Sequence, residues 1–369
     1  MAQMSSHERL INTIKGKAVD RLPWSPFLAY WWESKPEYHA MGQFKFMREL
    51  GCDPLLRGFC GHLSVERKNV EYTSKNEGNK SYTTISTPVG ELHYTNTYVK
   101  EANTSFLTEH PLKTEEDVKI LTYIMENTVY TPSYGGLDGL IAEVGDNGLA
   151  VPQLAAEGKT AFQSLVEFYA GTEELNYMLA DYPETVEALL EVMWRNSKIC
   201  ADIGSQSNAE AFIFWEDSSS LNVSPPQFKK YVKDEINYWG KTLHDSGKLL
   251  LHHGCGLLRD LMPHLAELEI DMLESISPPP TGDIELWDAY NILKKDCPAD
   301  RKPVGLIGGI EPVMLLTLPM DELRAYVITL IENMKRVGCD RFILANSDSC
   351  PVGVEKEKFN MVTEIVLNG

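Results

Sequence analysis

Positive charge is in short supply in this sequence. Its 34 lysines and arginines face 53 aspartates and glutamates, for a net charge of −19. That balance excludes polyanionic partners, nucleic acid above all, because binding them calls for basic faces. Long apolar runs are also missing. The most apolar stretch, 303–320, is broken by Gly308, Gly309, Glu311 and Pro312, so it is unsuited to crossing a membrane. The opening "MAQMSSHERLINTIKGK" has no apolar core of the kind an export signal needs. The expected setting is therefore soluble and cytoplasmic. Cysteine is sparse and odd in number, with seven residues at 52, 60, 200, 255, 297, 339 and 350. This argues against a disulfide framework and for free thiols or metal ligands. No linker, low-complexity run or compositional shift divides the chain, so residues 1–369 read as a single domain, long for an average domain but suited to a large α/β barrel.

What is present is an alternation of short apolar runs and amphipathic segments. The strand candidates are 22–28, 54–56, 149–154, 211–216, 248–253, 270–275, 303–307 and 341–345. Their nearly continuous apolar character suits parallel strands buried on both faces. Helices are expected at 172–193, 225–246, 257–268 and 320–338, with Gly247 and Gly338 where C-terminal caps belong. Eight strand candidates alternating with helices predict a (β/α)₈ TIM barrel. From about 64 to 110 the rhythm changes. "KSYTTISTPVGELHYTNTYVK" alternates Thr and Tyr with apolar residues around a turn, which predicts an inserted β-hairpin flap.

The stretch "LLLHHGCGLLR" at 249–259 carries the chemistry. If 248–253 is a barrel strand, His253 and Cys255 emerge at its C-terminal end, the face where barrels place their active sites. Adjacent residues of a strand point to opposite sides. His253 therefore shares the side of Cys255, and His252 is expected in the packing outside. Taken alone the pair also suits a buried imidazole and a small apolar thiol in a turn. Cys350, just beyond the last strand in "RFILANSDSCPVG", comes to the same face and completes a three-ligand set. Three protein ligands with an open position are the pattern of catalytic zinc. Cys52 and Cys339 fall at strand beginnings, the opposite end. Glu216 closes the strand "AFIFWE", where a carboxylate could serve as fourth ligand, general acid or substrate clamp. Tyr30, Trp31 and Trp32 after the first strand, and Trp215 beside Glu216, are aromatic residues that suit either core and lid packing or stacking against a flat ligand.

The segments "ERLINTIKGKAVDRLPW", "HHGCG", "NSDSCPVG" and "WEDSSSLNVSPPQFKKYV" resemble the uroporphyrinogen decarboxylase superfamily, and within it the zinc-dependent corrinoid methyltransferases. The resemblance runs from near Glu8 to near Val366. It implies a barrel holding Zn²⁺ that docks a separate corrinoid protein as partner, often as a homodimer. "TPVGELHYTNTY", "LKTEEDVKIL" and "SPPPTGD" are closer to the first methyltransferase of aromatic O-demethylases. That enzyme moves methyl from a methoxyarene to cob(I)alamin. The alternatives are a methylcobalamin:thiol methyltransferase of the coenzyme M type, a uroporphyrinogen decarboxylase, and a non-catalytic zinc-stabilised binding protein. The decarboxylase branch fits poorly, because no Arg stands between Arg21 and Arg48 to hold a many-carboxylate substrate.

Overall fold

The computed structural model describes residues 3–58, 61–100 and 104–369. It is an α/β fold. Ala211–Glu216, Leu249–Gly254, Met272–Ile276, Gly305–Ile310 and Phe342–Asn346 form one parallel sheet in chain order. Leu55–Arg57 and Leu149–Val151 pair in parallel. Smaller contacts link these groups. Gln153 bridges to Ile213 and Trp24 to Leu344, both parallel, and the Asp53 N–H donates to the Trp24 carbonyl. Backbone hydrogen bonds thus run from Trp24 through seven strands and return to Trp24. The expected first strand, 22–28, is reduced to that single bridge. Pro23 and Pro26 lack N–H donors, and the chain passes into helix Ala29–Glu33.

Alternation along the strands separates two cores. Leu55, Val151, Ala211, Ile213, Leu249, Leu251, Met272, Ile307, Ile343 and Ala345 face inward and meet Leu10, Ile11 and Ile14 of helix Ser6–Ile14. The residues between them, such as Phe212, Phe214, Leu250, Leu273 and Leu344, join the helices in a larger outer core. The N-terminal helix is anchored by charge. Buried Asp53 accepts from Arg9 and Arg21, and Arg9 also pairs with Asp20. The motif "ERLINTIKGKAVDRLPW" is therefore the seal at the N-terminal end of the strands.

Helix Met320–Val337 ends as expected on Gly338, in the left-handed conformation at φ 72°, which favours glycine. The helix expected over 172–193 is instead two, Thr172–Asp181 and Pro183–Ser205, since Pro183 disfavours helical geometry at Tyr182. Over 257–268 only Met262–Leu265 is helical. The flap exceeds a hairpin. Glu71–Glu77, Lys80–Thr87, Gly90–Val99 and Thr104–Glu109 form a four-stranded antiparallel meander, and Leu63–Arg67 pairs separately with Thr128–Pro132. Residues 101–103 of the expected 64–110 insertion, and Cys60, lie outside the described residues. No helix among the described residues is long and apolar enough to cross a membrane.

Candidate functional site

The inward faces that are apolar along most of their length become polar and aromatic where the strands end. Trp215, His253 and Glu274 stand side by side in register on adjacent strands. His253 Nδ1 lies 3.3 Å from Glu274 Oε2, and Glu274 Oε1 lies 2.6 Å from Arg57 Nε. Arg57 and Glu274 are both buried. Burial alone would raise the Glu274 carboxyl, but the Arg57 guanidinium and His253 outweigh it and hold it below its ordinary value. The imidazole thus has a fixed anionic neighbour on Nδ1, which leaves Nε2 to face the opening. Trp215 tilts against the His253 ring at 4.8 Å between centroids, and Phe27 stacks on Trp215 at 5.6 Å.

Cys255 follows the strand end, with its N–H donating to the Glu216 carbonyl at 3.1 Å. The turn needs Gly256. Its φ is 91°, and a Cβ there would lie 2.5 Å from the Ser219 side chain. This turn brings Cys255 to His253, and the loop after the last strand brings Asp348. One donor atom from each of His253, Cys255 and Asp348 lies within 4.8 Å of the others. Tetrahedral zinc donors sit roughly 3.3–3.8 Å apart, so a modest closing of the three would seat the ion. Imidazole, thiolate and carboxylate are all accepted zinc ligands, and the buried Glu274 behind His253 is the support such a site requires. The donor set fits zinc.

The third member of the group is thus Asp348, where the sequence suggests Cys350. Cys350 is fully buried. Its N–H donates to the Phe27 carbonyl at 3.1 Å, and its carbonyl accepts from Trp31 N–H at 2.9 Å. Those bonds hold it against the segment entering helix Ala29–Glu33. Its Sγ lies 3.9 Å from the Pro351 carbonyl, and burial pushes the thiol well up from its ordinary value. His252 takes the packing place expected of it, stacked on Phe214 at 4.4 Å. Burial pushes its imidazole down to about 3.

Glu216 alternates with Trp215 and so turns away from His253. Its carboxylate accepts the Thr160 N–H at 2.6 Å and the Thr160 hydroxyl at 3.2 Å. Glu235 does the same for the next residue, accepting the Ala161 N–H at 2.9 Å. The side chain of Glu216 therefore anchors the turn at 160, and its carbonyl positions Cys255. Burial pushes Glu216 up to about 8 and Glu235 up to about 7, against an ordinary 4.5. Groups raised on folding contribute stability that is complete below 4.5 and is lost as pH rises through the folded values. Thermal unfolding is accordingly expected to move to lower temperature between about pH 5 and 8, and a Glu216→Gln, Glu235→Gln double variant should flatten that profile. A wild-type melting temperature that climbs over the same window would contradict the assignment.

The aromatic candidates separate. Trp31 is completely buried against Tyr38, Phe46 and Phe359, and its indole donates to the Val354 carbonyl. Trp32 packs on Phe46 and His39, while Tyr30 is exposed. Trp215 alone of the four stands beside His253.

A family model described as uroporphyrinogen decarboxylase (URO-D) matches residues 104–368. The chain belongs to this family. The matched part of the URO-D member includes His253, Cys255, Glu274 and Asp348, while Trp24, Arg57 and three strands of the meander precede it. Comparison with curated proteins gave no match. Among solved structures, a methyltransferase from Methanosarcina mazei is similar with a TM-score of 0.61 at 14% identity, over 98% of each chain. A B12-independent methionine synthase from Shewanella sp. W3-18-1 gives 0.46 at 13% identity, over 94% of this chain and 98% of the other. Endo-glycoceramidase II from Rhodococcus sp. gives 0.34 at 11%, over 63% and 66%. The first of these likenesses shows the fold, and the other two are too distant to add to it.

Sequence reasoning missed Arg57, Glu274, Asp348 and Phe27 in this URO-D member. A signal existed for Glu274, a lone carboxylate inside the strand "MLESI" at an inward position. Nothing local marks the other three.

Proposed function

We propose that this URO-D family member is a methyltransferase on a closed (β/α)₈ barrel, transferring the methyl group of a methoxylated arene to cob(I)alamin on a partner corrinoid protein in the cytoplasm. The observation that carries the reading is the His253, Cys255 and Asp348 group at the inward strand ends, half-open to solvent and flanked by Trp215 and Phe27. We infer that His253 and Cys255 hold zinc with a third donor from the loop 347–351. When bound, zinc supplies Lewis acidity for the aryl oxide that departs.

The chain's own residues set the stage for that chemistry. Glu274 fixes the ring orientation of His253, and Arg57 keeps Glu274 ionised. The Glu216 carbonyl holds the backbone of Cys255. The faces of Trp215 and Phe27 offer a stacking surface for the arene. A decarboxylase acting on a many-carboxylate substrate is disfavoured, because the inward cation Arg57 is already neutralised by Glu274.

The test is spectral. The protein is mixed with a reduced corrinoid protein and, in separate reactions, a methoxyarene, a methylamine or methanol, and conversion of cob(I)alamin to methylcobalamin is followed. Methylation from the methoxyarene is expected. Demethylation of methylcobalamin by thiols alone would move the activity to the thiol branch, and an assay-ready protein without zinc would remove the metal from the reading.

A further inference from the structure

A cavity of about 690 Å³ lies beneath the meander, and neither the His253, Cys255 and Asp348 group nor Trp215 and Phe27 line it. Aromatic and aliphatic residues share its walls: Tyr72, Tyr94, Ile85 and Leu107 come from the meander, and Phe168 and Tyr169 from the facing segment. Tyr72 and Phe168 are each at least 40% exposed, so their rings stand at its mouth partly open to solvent. Phe168 and Tyr169 belong to a π-helical turn, Leu165–Tyr169, a costly geometry that recurs at functional sites.

One polar cluster interrupts this lining. Arg67 donates to the Tyr72 hydroxyl at 3.0 Å and pairs with Glu157 at 3.3 Å, and Glu157 also accepts from the Tyr169 hydroxyl. Arg67 Nε is buried with no hydrogen-bond partner among the described residues. Glu167, on the same wall, is paired with Lys159 at 2.7 Å. The two acids are thus balanced by two cations, one of which lies behind the wall. A ligand carboxylate here would meet two carboxylates for one facing guanidinium, whereas a neutral hydroxyl could donate to Glu157 or accept from Arg67.

We propose that this cavity is a second ligand site, specific for a neutral phenolic arene and separate from the candidate metal centre. Flat rings stack on the aromatic walls, and the hydroxyl is read by the Arg67 and Glu157 pair. The volume falls within the range of about 300–1,000 Å³ usual for small-molecule sites. The site has a route to the centre. Lys159, paired with Glu167, donates to the Trp215 carbonyl at 3.1 Å, and Trp215 touches His253. The proposal does not depend on the methyl donor being an aryl ether.

Calorimetric titration of the full chain, stripped of metal with a chelator, tests it with 4-ethylphenol, a phenol that carries no methyl ether, and benzoate as probes. Saturable binding of 4-ethylphenol at one site is expected, with benzoate at least about tenfold weaker. Ser105→Trp, an exposed strand position on the cavity wall, should fill the space and lose at least about tenfold in affinity. Tyr94→Ala, on the same face of the meander as Ser105, should weaken binding in the same direction, and Trp215→Ala should leave it unchanged. Unchanged melting temperatures would show that the variants fold. Binding lost in Trp215→Ala but kept in Ser105→Trp would overturn the second site and place the phenol at the metal centre. No saturable binding, or equal binding of benzoate, would also overturn it.

Discussion

Replacing Cys255 with Ser is expected to strip the protein of zinc and abolish methyl transfer while leaving it folded. The loss should exceed the roughly 10–100-fold that follows removal of a group that only orients a ligand. The fold should survive because Cys255 enters the structure through its backbone. Its N–H bond to the Glu216 carbonyl is untouched by the change, and its Sγ makes only a 3.7 Å contact to the same carbonyl. Metal content by atomic absorption, read beside circular dichroism, checks both halves. Retained stoichiometric zinc in the variant would remove Cys255 from the site, and an unfolded variant would point to a structural metal instead. The loop 347–351 is expected to supply the third donor, and its two candidates are separable. Zinc lost in Asp348→Asn alone assigns the carboxylate that the structure places beside His253, and zinc lost in Cys350→Ser alone assigns the thiol that the family resemblance implies. Zinc kept in both single variants and in the double variant would exclude the loop.

Arg57→Met should destabilise the protein by about 3–5 kcal/mol, the usual cost of leaving one partner of a buried ion pair uncompensated. The pair is short at 2.6 Å, and neither side chain is more than 2% exposed. With the guanidinium gone, burial would raise the Glu274 carboxyl and favour its neutral form. His253 would then lose its anionic neighbour, so zinc affinity should fall along with stability. Adding Glu274→Gln is expected to recover much of the stability, because no buried charge remains, but not the zinc affinity. Urea unfolding with and without zinc distinguishes the two effects. A single-variant cost below about 1 kcal/mol, typical of an exposed pair, would show that the pair is far better hydrated than its burial implies.

Parts of this architecture are legible in the chain itself. The strands at 211–216, 249–254 and 342–346 coincide closely with apolar runs, because burial on both faces leaves a continuous signature. Parity was readable too, and it bears on Glu216 as well as His253. Trp215 and Glu216 are neighbours, so only one can face inward, and Trp215 is the one in register with His253. The first strand was harder. Its apolar character is real, yet two prolines leave it a single bridge at Trp24. The meander has four strands where the alternation predicts a hairpin, because alternation announces strands without saying how many will pair.

The sequence by itself determined the order of strands and helices and the side on which His253 and Cys255 emerge. Both follow from covalent periodicity, two residues per repeat in a strand and glycine where φ turns positive. Only the tertiary structure decided that Asp348 stands with them while Cys350 is held against Phe27 and Trp31, that Arg57 meets Glu274, and that Glu216 holds Thr160. Such meetings depend on how the strands pack against one another and how each loop returns across their ends. Through-space distances between residues remote in the chain are set by the packing of the whole, and no local pattern records them.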